Sequence, residues 1–512
     1  MQTAAQMLAA PFGTLPDLIA AHARERGSKQ AIVHGARAID YATLNRAMDA
    51  VAVALQHAGV TQREAVAIVG AVGIEYACAF LGAIRAGCAP TPIAPSATGD
   101  QIAAMIADCG ASVVFLDAGA AASLGDRPLA ATRVALDGSD AGIAYEAFAI
   151  EGAQPDPVVI APDDPFNIIY SSGTTGTPKG IVQPHAMRWA HVARGDAAGF
   201  SEAVTMIATP LYSNTTLVSF IPTLAWGGTA VLMGKFDARG FLEAAQRNRA
   251  THAMLVPVQY QRIMALPDFD AFDLSSFRLK TCTSAPFSAA LKADVVARWP
   301  GLLVEYYGMT EGGGTCILNC TAHPDKLHTV GQPAPGHDIR LIDDDGCEVA
   351  AGEMGEVVGR SGAMMSGYHG RRTATSEAEW FDAEGRRYIR HGDVGRFDED
   401  GFLILMDRKK DLIISGGFNI YPSDLEAVLG QHRAVRDCAV VGVPSAQWGE
   451  TPVGFYVAAD ATPAEAVLAA VNAGLGKTQR LSALVVVDEL PRSAIGKVLK
   501  RELRERYMEG AA

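Results

Sequence analysis

Positive charge is scarce in this chain: 43 Lys and Arg stand against 56 Asp and Glu, a formal net charge of −13. A face that coats nucleic acid needs a basic stripe, so no nucleic-acid partner is expected and any phosphate must be held locally. Uninterrupted apolar runs of membrane-spanning length are missing, so no integral membrane association is expected. The opening "MQTAAQMLAAPFG" carries no Lys or Arg ahead of its modest apolar segment and so lacks the basic start of a secretory signal; cytoplasmic residence is the expectation. Cysteine is thin, with 8 scattered over 512 residues. The nearest pair, Cys316 and Cys320, has no histidine or second pair at zinc-finger spacing, so neither a disulfide framework nor a zinc site is indicated, and reduced, mostly buried thiols are expected. Short repeats and low-complexity tracts are also lacking. What is abundant is apolar content, 49%, enough for more than one packed core.

Helical and extended patterns alternate through the first two thirds. "TLPDLIAAHARERG" and "YATLNRAMDAVAVALQHAG" read as helices around a short strand pair; "AVAIVG", "APTPIA" and "ASVVFL" read as strands between further helical segments. The pattern resumes with "TAVLM", "THAMLV", "LKTCTS" and "LLVEYYG". Such alternation predicts an α/β fold of βαβ units around largely parallel sheets. From about Val330 the texture changes to short strands with turn signals, "DDDGCE" and "DEDGFLIL", which predicts a β-rich subdomain. The basic, turn-like "MDRKKD" then precedes the helix "PSDLEAVLGQH", the strands "DCAVVGV" and "ALVVVDEL" and the helix "AEAVLAAVNAGL". The expected division is a large N-terminal domain, 1–409, and a small mobile α+β domain, 410–512.

One loop stands apart. "SSGTTGTPKG", Ser171 to Gly180, offers inward-turning backbone amides, hydroxyls and one lysine, the requirements of an anion cradle. It is not a Walker A loop, because Lys179 follows Pro178 and precedes Gly180 rather than Ser or Thr. On composition alone it reads as a surface loop.

The order of its residues resembles the phosphate loop of the adenylate-forming superfamily of acyl-CoA synthetases, peptide-synthetase adenylation domains and firefly-type luciferases. The resemblance recurs in order in "SAPFS" (Ser284 to Ser288), "YYGMTEGG" (Tyr306 to Gly313), "HGDVGRFDEDGFL" (His391 to Leu403), "DRKKDLIISGGFNIYPSDLE" (Asp407 to Glu426) and "LPRSAIGKVLKREL" (Leu490 to Leu503). It implies attack of a carboxylate on the α-phosphorus of ATP and capture of the acyl-adenylate by a thiol, with ATP, Mg²⁺ and CoA required. Ser171, Ser172, Gly173, Thr174, Thr175, Gly176 and Lys179 would hold the β- and γ-phosphates. Ser284, Ala285, Pro286, Tyr306, Gly308 and Met309 would line the nucleotide side, with Tyr307 stacked on adenine. Thr310 would touch the α-phosphate and Glu311 would ligate Mg²⁺, a hard cation that suits a carboxylate. Asp393 would accept from both ribose hydroxyls and Arg408 would contact ribose or phosphate. Lys410 falls at the hinge; Ser415, Gly416, Gly417 and Phe418 fall at the pantetheine channel. Lys497 would offset the repulsion between substrate carboxylate and α-phosphate during adenylation. In related acyl-CoA synthetases a lysine in such a context is a target of reversible acylation, so the resemblance makes Lys497 a candidate substrate of a lysine acetyltransferase and deacetylase.

The acyl side departs from the family. "PLYSNTT" has Ser213 where relatives often carry histidine, and Tyr212, Ser213, Asn214 and Thr215 include no aspartate to hold an amino-acid ammonium. With Val258, Gln259, Thr283 and Met309 mostly neutral, a fatty or aryl monocarboxylic acid is expected. Gln479 and Leu481 fall where relatives usually have Lys and Pro. The resemblance is greatest to fatty-acyl and aryl-CoA ligases; a stand-alone loader of a carrier protein and a luciferase-like or non-catalytic paralogue are the alternatives. A monomer or homodimer acting on small molecules is expected.

Overall fold

The computed structural model describes residues 2–171, 178–195, 198–408, 411–415, 418–445, 447–476, 479–493 and 496–510. The chain divides into two compact units, one of residues 1–327, 333–338 and 359–389, the other of residues 328–332, 339–358 and 390–512.

The first unit is built on the expected alternation. Its principal sheet, of nine strands, includes in order Cys316–Asn319, Leu302–Tyr307, Leu279–Cys282, His252–Leu255, Val204–Ile207, Thr229–Leu232, Gln30–His34 and Arg37–Asp40, with the two-residue strand Gln332–Pro333 beyond Cys316–Asn319. The strands from Leu302–Tyr307 to Gln30–His34 pair with one another in parallel, while Cys316–Asn319 pairs antiparallel with Leu302–Tyr307 and Arg37–Asp40 antiparallel with Gln30–His34. Strands such as Thr229–Leu232 and His252–Leu255 are buried along their whole length, as parallel strands covered on both faces must be. A second parallel sheet has the order Ala89–Ile93, Ala65–Val69, Val113–Leu116, Thr132–Ala135 and Ile143–Ala144. Pro90 and Pro92 explain why Ala89–Ile93 stands at its end, since a proline cannot donate to a ladder on both sides. The helices Tyr41–His57, Ile74–Arg85 and Asn214–Ala225 bury their apolar residues in one continuous core with Ile32, Ile68, Phe115 and Phe166. A small antiparallel sheet of Pro165–Ser171, Lys179–Pro184 and Gly367–Tyr368 flanks the candidate phosphate loop.

In the second unit, the part of the strand Arg387–Phe397 from residue 393 onward pairs antiparallel with Leu403–Arg408, so Asp407 and Arg408, read from the sequence as part of a turn, complete a strand. The C-terminal part carries a sheet ordered Phe418–Ile420, Ile413–Ser415, Gly449–Ala458 and Val435–Ser445, with Ala483–Val486 parallel to Gly449–Ala458. Alternate residues of its strands serve different faces. Val440 and Tyr456 join the core under Pro422–Gly430 and Ala464–Ala473, whereas Val441, Val443 and Phe455 join the core that takes Leu503. The helix Lys500–Gly510 that brings Leu503 is missed by sequence reasoning: "KRELRERYMEG" buries only that leucine and shows almost no apolar period. The eight cysteines are free, six of them buried. No described helix is long and apolar enough to cross a membrane.

Candidate active site

The strands Val204–Ile207, His252–Leu255, Leu279–Cys282 and Leu302–Tyr307 are neighbours and run parallel. Their carboxyl ends open on one edge of the sheet, and each leads into residues singled out from the sequence: Tyr212 to Thr215, Val258, Thr283 to Pro286, and Gly308 to Glu311. That edge is where open α/β sheets bind ligands, because loops and free backbone groups converge there.

Side chains tie these ends together. The hydroxyls of Thr215 and Ser284 share a hydrogen bond, and Ser284 holds φ at +84°, a region that non-glycine residues rarely enter. Such a conformation costs about 1–3 kcal/mol and persists where the surroundings over-determine it. Tyr212 is half-buried and its phenol is pushed up by burial. Ser213 is buried ahead of the helix Asn214–Ala225. Gln259 commits its amide to backbone, accepting from Val256 N–H at 3.1 Å and donating to Ala208 O at 2.8 Å. Tyr307 is buried at its strand end, whereas Tyr306, Met309, Thr310 and Glu311 are half-buried and Gly308 is exposed.

After Glu311 the chain turns sharply through Gly312 (φ +78°) and Gly313 (φ +91°). A Cβ on Gly312 would stand 2.1 Å from the Ala363 carbonyl, so only glycine fits. Met365 N–H donates to Glu311 O at 2.8 Å and Gly313 N–H to Ala363 O at 3.0 Å, stitching the turn to residues 363–365. The Glu311 carboxylate thereby meets Tyr368, whose hydroxyl donates to Oε1 at 2.9 Å. Burial, and next the charge of Glu311, push this phenol well above its ordinary value, so it stays a donor throughout the working pH range. Lys179 Nζ lies 5.1 Å over the centre of the Tyr368 ring. Sequence reasoning misses Tyr368. It lies 57 positions past Glu311 and arrives by pairing with Ile181, next to the strand start at Lys179.

Of the candidate phosphate loop, Ser172, Gly173, Thr174, Thr175 and Gly176 lie outside the described residues, while Ser171 and Lys179 are register partners at its base. Among the described residues no group of three or more His, Cys, Asp or Glu is placed to hold a metal ion. Glu311 has one oxygen occupied by Tyr368 and offers a second. One carboxylate completed by substrate phosphates and water is the ligand set Mg²⁺ favours, so these residues fit that ion.

In the second unit, Asp393 and Arg408 are cross-strand partners, with Arg408 Nε 3.2 Å from Asp393 Oδ1. His391 is buried and burial pulls it down to about 4, so it is neutral near pH 7. Lys497 is tied to Ser493: Ser493 N–H donates to Lys497 O at 2.8 Å and Lys497 N–H to Ser493 Oγ at 3.2 Å, and Gly496 adopts φ +78°. Arg492 braces it, donating to Gly496 O at 2.7 Å and pairing with Asp437 at 2.7 Å. The next lysine, Lys500, is spent on an ion pair with Glu426 at 2.8 Å. Lys410, Gly416 and Gly417 lie outside the described residues, and Ser415 pairs with Phe418 in a short hairpin. Gln479 N–H donates to Gly476 O at 2.9 Å. The Leu481 departure has a physical reason: its N–H donates to Asn472 Oδ1 at 2.8 Å, a bond proline cannot make, and its side chain fills the core.

The chain matches the AMP-binding enzyme family over residues 19–369 and the AMP-binding enzyme C-terminal domain over residues 424–497, and it therefore belongs to these adenylate-forming, ATP-using enzymes. It is 34% identical to the feruloyl-CoA synthase of an Amycolatopsis species, over 93% of this chain and 96% of that one. It is 33% identical to the indoleacetate–CoA ligase of Aromatoleum aromaticum, over 96% and 98%. Among solved structures, the amide bond synthetase McbA from Marinactinospora thermotolerans superposes with a TM-score of 0.84 at 29% identity, covering 96% of this chain and all of that one.

Proposed function

We propose that the protein is an ATP-dependent acid:CoA ligase. It converts a fatty or aryl monocarboxylic acid to its acyl-adenylate with release of pyrophosphate, then passes the acyl group to CoA with release of AMP. The observation that carries this reading is the strand-end edge, where uncharged Tyr212, Ser213, Asn214, Val258 and Thr283 stand in the same row as Ser284 and the Thr310–Glu311 turn. Neutral residues suit an acid whose body bears no charge, and the CoA ligases among the relatives act, by their names, on ferulate and indoleacetate.

Positioning and charge compensation carry the first half-reaction, because two anions must meet. Lys179 and residues 171–176 hold the β- and γ-phosphates, Tyr307 stacks on adenine and Thr310 orients the α-phosphate. Asp393 holds the ribose, and Lys497 bridges carboxylate and α-phosphate. Mg²⁺, held by Glu311, neutralises phosphate charge when bound. Domains 1–409 and 410–512 turn about Lys410, which withdraws Lys497 and lets residues 415–418 line the thiol path for CoA. An amine acceptor is the second reading, favoured by the amide bond synthetase among the structural relatives.

A panel of fatty and aryl acids assayed for pyrophosphate release, with CoA, with a carrier protein, with an amine or with none, tests the proposal. Acid-dependent release and a CoA thioester product are expected. Release without any CoA thioester would reject the ligase reading.

A further inference from the structure

The helix His185–Val192 carries Arg188, which is 2% exposed and, among the described residues, has no carboxylate partner. Burial alone pulls it down to about 9, which still leaves the guanidinium charged at neutral pH. A buried cation with no counter-ion is costly, so its presence asks for a reason beyond packing. Its face lies 5.8 Å from the centre of the Phe166 ring, but its directed contacts are with two amides. Nε and Nη2 each donate to Asn167 Oδ1 at 3.0 Å, and Nη2 also donates to Gln183 Oε1. Asn167 Nδ2 donates to the same Gln183 oxygen at 3.0 Å. Gln183 Nε2 then donates to Thr310 O at 2.7 Å and to Asn214 Oδ1 at 3.3 Å.

Arginine can only donate, so it dictates the sense of every bond beyond it. With both amide oxygens drawn to the guanidinium, the Gln183 NH₂ must face Thr310. A flipped Gln183 would set NH₂ against guanidinium and oxygen against the Thr310 carbonyl. Asn167 and Gln183 are register partners in the two strands that flank residues 172–177, and Asn214 opens the helix on the acyl side. The cluster thus joins the base of the phosphate loop, the Thr310–Glu311 turn and the acyl edge.

We infer that Arg188 is a positioning residue for adenylation: acting through Gln183, it fixes the Thr310 carbonyl and Asn214 relative to the strands that bear the phosphate loop. The inference rests on the adenylate-forming role given to Thr310 above.

Gln183→Glu separates positioning from folding. It gives Arg188 the carboxylate it lacks, so the unfolding midpoint should hold or rise, yet it turns an acceptor toward Thr310 O and Asn214. Acid-dependent ATP–pyrophosphate exchange should fall about tenfold or more in kcat, as expected for a hydrogen bond replaced by repulsion. Arg188→Met, which removes the cation at similar volume, should lose exchange by a comparable factor while remaining folded. Hydrogen–deuterium exchange of the 308–314 segment, which needs no substrate, should quicken in both variants. A stable Gln183→Glu enzyme with wild-type exchange rates and unchanged protection of 308–314 overturns the inference. If the wild type itself shows no acid-dependent exchange, the functional reading fails, and unchanged or lost protection of 308–314 alone decides whether the tether exists.

Discussion

Replacing Tyr368 by Phe deletes one oxygen and leaves the ring under Lys179, 5.1 Å from its centroid. What is lost is the 2.9 Å bond to Glu311 Oε1. Hydrogen bonds to a charged acceptor contribute about 1.5–3 kcal/mol, and because both residues are half-buried the lower end applies, equivalent to roughly tenfold in kcat/KM for MgATP. Glu311 would also lose its fixed rotamer, so the Mg²⁺ concentration giving half-maximal rate should rise. The phenol is raised above its usual 10 by burial and then by Glu311, so it remains protonated between about pH 6.5 and 9 and the loss should be constant over that range. An acid–base role would instead make the loss pH-dependent. Initial rates of pyrophosphate release against MgATP, at saturating acid and several pH values, measure this. A cycle with Glu311→Gln should return a coupling of about 1 kcal/mol, since the neutral amide is a weaker acceptor. A Tyr368→Phe enzyme within about twofold of wild type, with unchanged Mg²⁺ dependence and no coupling to Glu311, would refute the reasoning.

Lys497→Ala should abolish acid-dependent pyrophosphate release and spare thioester formation from supplied acyl-adenylate; equal loss in both half-reactions, measured separately, contradicts the assignment. Lys292 and Glu305 pair at 2.5 Å with side chains 2% and 5% exposed, so Lys292→Met should cost about 3–5 kcal/mol in denaturant unfolding. Burial already pushes Glu305 up to about 7 from 4.5, so the folded variant holds a proton that the unfolded chain releases; its stability should be full near pH 4.5 and fall as pH rises through 7, read as urea midpoints at pH 5 and 8. His185 and His391 are pulled from 6.5 to about 4 by burial, so their contribution is present above pH 6.5 and lost as pH falls through 4, about 3 kcal/mol each at the limit. His185→Gln should therefore lose less stability than wild type between pH 7 and 4.5. Leu481→Pro removes the donor to Asn472 and should destabilise the second unit by about 1–3 kcal/mol, read by unfolding; an unchanged midpoint would show that the bond contributes nothing.

Much of the fold was legible along the chain. Strands such as Ala65–Val69 and Val113–Leu116 are apolar throughout and separated by helices with a clear face, so parallel sheets covered on both sides follow from period and length. The helix Lys500–Gly510 escaped because a single buried leucine leaves no period to detect. Asp407 and Arg408 passed for a turn because charge marks exposure rather than conformation; their strand pairing is supplied by partners at 393 and 394.

The candidate site divides in the same way. The order of residues along the chain determined the hydroxyl-rich composition of Ser171 to Lys179, the two adjacent glycines, Gly312 and Gly313, that follow Glu311, and the glycine that precedes Lys497. These are properties of neighbours, set by dihedral freedom and composition. Tertiary structure alone decided that Tyr368 meets Glu311 across 57 positions, that Gln183 reaches Thr310 across 127, and that Ser284 bonds Thr215 across 69. It also decided that a buried arginine, Arg188, orients two amides. The physical reason is that a hydrogen bond between distant residues depends on which strand ends the sheet sets side by side, and strand order leaves no mark on the local sequence.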